Sequence, residues 1–409
     1  MDPDVTAGDR FAPPERLADA PAALGEVIQG RWSVTEILSG GQAWVLIVND
    51  VEQGNRRAIK VPFSGSLTGD VELVALFGLE PYPRVVTALE TVEFDRSMGL
   101  VLEYVPRSLS EIIGRERSAA SPERPAGLSR PSGPARTDVG TPLLVPREEV
   151  LQEICDGMAY LSNKREFAHL DLKPSNVLID EAGIAKVADF GMARQVRIRQ
   201  GVFPVASGGT WAYAAPEVVR LEPCDSRADI FSFGVLLYEV CTGMLPYPFG
   251  LASSPDAQRE QLLEYYRSGG PRRRCDELYY PEQIEATQIP MPLPGDGVGA
   301  IISDCLQEYP GKRPSSFRDL GKQLLEILGI PIVRAEVVPL AEIDDQRRVL
   351  AMSQALIRLR RFDEAVRALN RLLSKPVNEA FFIEAKQTAQ SALLGAGRPD
   401  IAAALGRWL

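Results

Sequence analysis

HLDLKPSNVL, residues 169–178, is the stretch whose reading decides the fold. It contains the sole histidine of the 409-residue sequence, followed closely by Asp171, Lys173, Asn176 and an apolar run. Three readings compete at the outset: a working active site, a disabled relic, or a core strand. An apolar run this short cannot choose among them. The choice comes from what lies on either side.

Upstream, RWSVTEIL (31–38), AWVLIV (43–48) and RRAIKV (56–61) are β-rich runs separated by SGGQ and NDVEQGN. They predict an antiparallel meander. VELVALFGL (71–79) has helical apolar spacing, and ALETVEFD and MGLVLEYV read as two more strands. After Pro106 the pattern turns helical, with EEVLQEICDGMAYLSNK just ahead of the opening stretch and further helices near 216–221, 226–243, 255–268, 297–308 and 315–328. Residues 1–24 and 115–146 have the Pro-rich, weakly apolar composition of disordered segments. Pro331 and Pro339 flank a linker. Beyond it, SQALIRLRRFDEAVRALNRLLSKP and EAKQTAQSALLGAGRPDIAAALGRWL read as two helix–turn–helix units. Their alternation of small and large apolar residues resembles the tetratricopeptide pattern; a plain helical extension is the simpler alternative. Two units are too few for an independent solenoid, so they are expected to dock on the preceding domain.

Composition narrows the class. Hydrophobic residues make up 45% and charged residues 24%, ordinary for a soluble globular protein. A net charge of −10 argues against a nucleic-acid footprint over the whole surface. The five cysteines form no CxxC, and with a single histidine there is no zinc pattern, which fits reduced thiols and a cytoplasmic location. The start, MDPDVTAGDRFAPPE, lacks the apolar core of a signal peptide. IFSFGVLLYEV (230–240) is too short to span a bilayer and contains Glu239, so no membrane span is expected.

Five separated pieces fit one task, holding a nucleoside triphosphate and moving its terminal phosphoryl group. In LSGGQAWVLIV (38–48), a turn at Gly40 and Gly41 can bring backbone N–H groups to phosphate oxygens, although hairpins often contain Gly-Gly. Lys60, in AIK, ends the next strand, where an ammonium can pair with α- and β-phosphates. It needs a positioning carboxylate: Glu72 on the following helix is the natural candidate, and Glu80, beside Pro81, a poorer one. The chain has only eight lysines, so a Lys at a motif position carries weight. Asp171 can accept a hydroxyl proton or orient the nucleophile, Lys173 can steady the γ-phosphate, and Asn176 can coordinate Mg²⁺. In ADFG, Asp189 supplies a second oxygen ligand of the kind Mg²⁺ prefers. The fifth piece is AAPE (214–217), preceded by GGTWAY.

In this order, with DIFSFG (229–234) and KRP (312–314) after them, the motifs resemble those of eukaryotic-type serine/threonine protein kinases over about residues 27–330. The resemblance implies an α+β, bilobal protein kinase fold: a small β-rich N-lobe with one main helix and a larger helical C-lobe, followed by an all-α helical-repeat-like tail. The expected division is a disordered tail (1–24), an N-lobe (25–106), a C-lobe (107–331, with a disordered insertion at 115–146), and a linker with a tetratricopeptide-like domain (332–409). It also implies roles for the matched positions. Asp171 would be the catalytic base with Lys173 beside it, and Asn176 and Asp189 would hold Mg²⁺. Leu38, Gly40, Gly41, Val45, Ala58, Lys60, Glu72, Leu102, Glu103, Val105 and Leu178 would hold ATP, with Leu102 as gatekeeper and 103–105 as the adenine-contacting segment. His169 would pack on Phe190, Thr210 would sit near the catalytic Asp, Glu217 and Arg313 would form a buried ion pair, and Asp229 would tie its helix to the catalytic loop. Lys173 and Thr210 favour Ser/Thr over Tyr as acceptor. The partners implied are ATP, a protein substrate, and a further protein contacting the C-terminal helices.

Two positions depart from the family pattern. The glycine loop keeps one of its three motif glycines, with Leu38 and Ala43 at the other two. Should position 43 require a positive φ, alanine there costs about 1 kcal/mol. Leu170 replaces an arginine whose charge a phosphorylated activation loop normally neutralises, so the enzyme is expected not to depend on that phosphorylation. A pseudokinase scaffold, binding partners through its helical tail, is the alternative function. A small-molecule phosphotransferase shares the Asp-x4-Asn loop but not the later C-lobe motifs.

Overall fold

A computed structural model describes residues 20–39, 43–63, 68–79, 81–94, 97–113, 147–165, 167–195, 211–268, 296–328, 345–373, 379–399 and 402. Gly40, Gly41, Thr210, Glu80, the 115–146 insertion, most of 1–24 and the linker prolines lie outside them. The chain forms two compact units. One gathers Met1–Pro81, Val86–Tyr104 and Val338–Leu409; the other gathers Tyr82–Val85 and Val105–Val337.

The first unit is built on a six-stranded sheet of β1 (Val27–Ile28), β2 (Trp32–Ser39), β3 (Ala43–Asp50), β4 (Arg56–Pro62), β5 (Ala88–Phe94) and β6 (Ser97–Glu103), in the order β1-β2-β3-β4-β6-β5. Alternation along the strands sorts side chains to two faces. Trp44 opposes Val61 and Leu46 opposes Ile59 on one face, which is buried together with Trp32, Val34, Val48 and Val101. A bulge between Val34 and Glu36 shifts the β2 register by one residue. Thr35 stands at the bulge, and its Oγ1 donates to the Ile47 carbonyl at 3.0 Å. Beyond it, Ile37 opposes Leu46 on the core face and Leu38 opposes Val45 on the other. An unbroken ladder would place Leu38 opposite Trp44, on the core side.

Ala43 lies within β3, paired with Pro62, and is not among the residues with positive φ. The strain anticipated for an alanine at this loop position therefore does not arise.

Helix α1 (Thr68–Phe77) follows the fourth strand. Residues 72–77 are all buried. Successive helical positions are about 100° apart, so six in a row sample every side, and the helix is enclosed. It packs on the sheet and on a helix from the far end of the chain, α8 (Asp345–Arg358). Helices α9 (Phe362–Leu373) and α10 (Glu379–Gly395) complete this unit. Ala355, Ala365, Leu369, Ala385 and Ala392 are fully buried, small and large residues meshing between the three helices. A Cβ on Gly395 would stand 2.3 Å from the Phe362 ring, so only glycine admits that approach. The docking partner of the tail is thus the sheet-bearing unit, although Val105–Val337 of the second unit separates the two in sequence.

The second unit holds α2 (Arg147–Arg165), α3 (Pro216–Val219), α4 (Arg227–Thr242), α5 (Pro255–Arg267), α6 (Asp296–Cys305) and α7 (Phe317–Leu328). α4 is apolar on all sides and almost wholly buried, and it ends at Gly243, where φ is 71° and the N–H reaches the Glu239 carbonyl at 2.7 Å. Short ladders join β8 (Phe167–Ala168) to β11 (Arg194–Gln195), and β7 (Arg107–Ser108) to β9 (Val177–Ile179) to β10 (Ala185–Val187). Residues 169–176 are therefore a loop tethered at both ends. Among the described residues, no helix is long and apolar enough to cross a membrane.

Candidate active site

The loop 169–176 draws its polar side chains onto one carboxylate. Lys173 Nζ lies 2.9 and 2.8 Å from the two Asp171 oxygens. Asn176 Nδ2 donates to Asp171 Oδ2 at 2.9 Å and to the Asp171 carbonyl at 2.8 Å. The 3₁₀ turn Pro174–Asn176, with proline at its first position, places Asn176 close enough to close this ring. Asp171 is thus oriented from two sides while remaining partly exposed.

Asp229, at the start of α4, holds the loop from below. Its oxygens accept the His169 and Leu170 backbone N–H groups, both at 2.7 Å. The carboxylate is fully buried, and that loss of water lifts its pKa to about 7 against the pull of the two N–H donors. His169 is also buried, which pushes its pKa down. Its Nδ1 accepts the Asp171 N–H at 3.3 Å, and Nε2 faces the Ala188 carbonyl at 3.0 Å. These partners suit a neutral ring protonated on Nε2. The ring centroid lies 5.0 Å from that of Phe190. In this position the histidine packs and braces; both nitrogens are occupied by backbone.

Leu170 has φ 63°, and Asp189 has φ 64°. Left-handed backbone costs a non-glycine residue about 1 kcal/mol or more. For Leu170 its N–H bond to Asp229 helps offset it, and its side chain packs against the apolar cluster of Trp211, Val218, Phe231 and Tyr247. Asp189 Oδ1 accepts the Gly191 N–H at 3.3 Å. The Ala188 N–H donates to the Asn176 carbonyl at 2.9 Å, so the segments carrying Asn176 and Asp189 are stitched together. Asn176 spends its amide nitrogen on Asp171, which leaves Oδ1 as a donor to a cation. An amide oxygen and a carboxylate fit Mg²⁺, whose remaining positions are commonly filled by phosphate oxygens and water.

The first unit has its own set. Lys60 Nζ stands 2.8 Å from Glu72 Oε2, with Glu72 almost fully buried. Register explains why Lys60 has the company it does. Leu38 opposes Val45, Val45 opposes Lys60, and Ala58 opposes Leu102. All five lie on the face opposite the core, and each keeps part of its surface exposed. The sheet thus presents a half-open apolar face with a single ammonium on it. Glu103 turns back: its Oε1 accepts the Thr87 N–H at 2.7 Å, and its N–H reaches the Thr87 carbonyl at 3.0 Å. Val105 opens the second unit, where Leu178 lies on β9 opposite Lys186.

Glu217 and Arg313 meet in a two-pronged ion pair at 2.6 and 2.8 Å. The remaining Arg313 donors reach the carbonyls of Gln307, Arg227 and Glu308. One contact escaped the sequence altogether: Arg348 of α8 reaches the end of α1. Neither charge pattern nor spacing links those positions.

The sequence of a protein kinase domain family matches residues 36–325. Among curated relatives, serine/threonine-protein kinase STY46 of Arabidopsis thaliana is 46% identical over 101 residues, 25% of this chain and 17% of its own length. Serine/threonine-protein kinase 12 of the same plant is 29% identical over 250 residues, 60% of this chain and 45% of its own. A probable serine/threonine-protein kinase of Corynebacterium efficiens is 28% identical over 240 residues, 55% and 33% of the two chains. The chain spans less than half the length of these relatives.

Proposed function

The chain belongs to the protein kinase family, and from that premise we propose that it transfers the γ-phosphoryl group of ATP to Ser or Thr hydroxyls of protein substrates. The observation that carries the reading is the Asp171 carboxylate gripped by Lys173 and Asn176. Asp171 orients the acceptor hydroxyl and takes its proton as the oxygen attacks phosphorus. Lys173, already beside that carboxylate, offers its ammonium to the charge developing on the phosphoryl oxygens. Lys60, set by Glu72, holds the α- and β-phosphates, while Leu38, Val45, Ala58 and Leu102 offer the apolar face for the adenine. Asn176 and Asp189 would hold Mg²⁺, which when bound neutralises phosphate charge. The acceptor class follows from Lys173 and from the serine/threonine kinases among the relatives.

Leu170 supports a second element of the proposal. An arginine here would be a buried cation awaiting a phosphate; leucine instead buries apolar surface against the cluster around Trp211. The loop geometry then needs no phosphate to complete it, and activity does not depend on activation-loop phosphorylation. The C-terminal helices are read as a tetratricopeptide-like extension with a protein partner.

The test is transfer from labelled ATP with Mg²⁺ to a general protein acceptor, with Asp171→Asn as control. Label transferred by wild type and lost in the variant is expected. Nucleotide binding with equal background in both would replace this reading with the pseudokinase scaffold.

A further inference from the structure

Helix α1 carries Glu72 and is poorly equipped to hold itself in place. It has ten residues and no basic side chain in its last turn. A helix this short is marginal alone, and its last carbonyls favour a nearby cation. That cation comes from the other end of the chain. Arg348 Nη2 on α8 lies 3.1 Å from the Leu79 carbonyl and 3.4 Å from the Leu76 carbonyl. Its guanidinium carbon stands 5.3 Å from the centre of the Phe77 ring. Arg348 is only 4% exposed. Burying a guanidinium is costly, and the Nη2 contacts with these two carbonyls offset part of that cost, so the side chain is tied to this position.

Leu76 is one helical turn beyond Glu72, and the helix between them is rigid on that scale. Glu72 in turn meets Lys60 at 2.8 Å through Oε2. Movement at the capped end therefore reaches the ion pair with little loss. We propose that Arg348 is a positioning residue for Lys60: it caps the helix carrying Glu72 and fixes where that carboxylate stands. The catalytic consequence rests on the kinase reading above; the structural one does not.

Two measurements on the full chain test this. The first is amide hydrogen exchange without nucleotide, comparing residues 72–79 with strand 43–50. Arg348→Met, which keeps much of the apolar stem, is expected to speed exchange in the helix by about tenfold or more while leaving the strand within about twofold. Arg348→Lys, which keeps the cation, is expected to recover part of the protection. Equal acceleration in helix and strand, or none, overturns the proposal. Should Arg348→Met fail to fold, Arg348→Lys is read alone against wild type, with acceleration confined to the helix as the expected result. The second measurement is a double-mutant cycle in kcat/KM for ATP. If Arg348 acts through Glu72, the double variant Arg348→Met/Glu72→Gln is no slower than Glu72→Gln, within about twofold. Losses that multiply overturn the coupling. A wild-type protein that transfers no phosphoryl group refutes the kinase reading, and the exchange experiment still decides the role of Arg348.

Discussion

Two buried ion pairs, one in each unit, are built on opposite plans. Arg313 grips both oxygens of Glu217 and spends its other donors on three carbonyls, with 0% of its side chain exposed. Lys60 meets Glu72 through one flexible ammonium, on a face that stays partly open, with 15% of its side chain exposed. Guanidinium is a rigid fork that loses little entropy per bond made, whereas an ammonium on four methylenes can move to another oxygen. The first pair is suited to holding structure still. The second is suited to sharing its cation with a ligand.

The sharpest way to break the contrast is to remove each cation. Arg313→Ala should cost about 3–5 kcal/mol of stability, because it strands a buried carboxylate. Arg313→Lys should recover little of it, since an ammonium cannot reproduce the fork; urea denaturation measures both. Lys60→Met also strands a buried carboxylate, but methionine keeps the apolar stem, whereas Arg313→Ala loses the stem and three carbonyl bonds as well. The lysine variant should therefore cost less stability, about 1–3 kcal/mol. Its main effect should be a loss of about 10²–10³ in phosphoryl transfer, read with labelled ATP. If Lys60→Met destabilises as much as Arg313→Ala, the contrast fails.

A smaller effect concerns Asp229, the buried carboxylate with no cationic partner in its two main bonds. Its pKa rises from 3.8 to about 7 on folding. Between those values the folded chain keeps a proton that the unfolded chain releases, so this group makes stability fall as pH rises from about 4 to about 7. Asparagine does not titrate. Urea midpoints at pH 5 and pH 7 should therefore fall less in Asp229→Asn than in wild type. The smallest expected effect is that of phosphatase treatment: with Leu170 in place of a cation, the transfer rate should change by less than about twofold. A large loss would show that loop phosphate matters despite the leucine.

Much of this was legible in the sequence for identifiable reasons. Strands announce themselves through alternation, and Asp171, Lys173 and Asn176 are close enough in sequence for a single turn to unite them. Lys60 stood out because lysine is scarce. Other features left no local trace. The bulge at Thr35 decides which face Leu38 joins, yet it depends on one hydroxyl choosing the Ile47 carbonyl. The anticipated strain at Ala43 vanished because the residue extends β3. The expected tail begins at 332; the stretch Val338–Leu409 shares a compact unit with the sheet. Apolar periodicity says that a helix has a buried side, not what buries it.

The cap on α1 also sets an order of events during synthesis. Arg348 and Leu76 are 272 residues apart. The sheet is synthesised first, but its enclosed helix must wait for 272 further residues before its last carbonyls find their cation. The second unit, made of Tyr82–Val85 and Val105–Val337, has all of its residues before Val338 and can finish folding before the first. The first unit is then the later of the two to close, and until Arg348 has emerged its apolar helix lacks that cap.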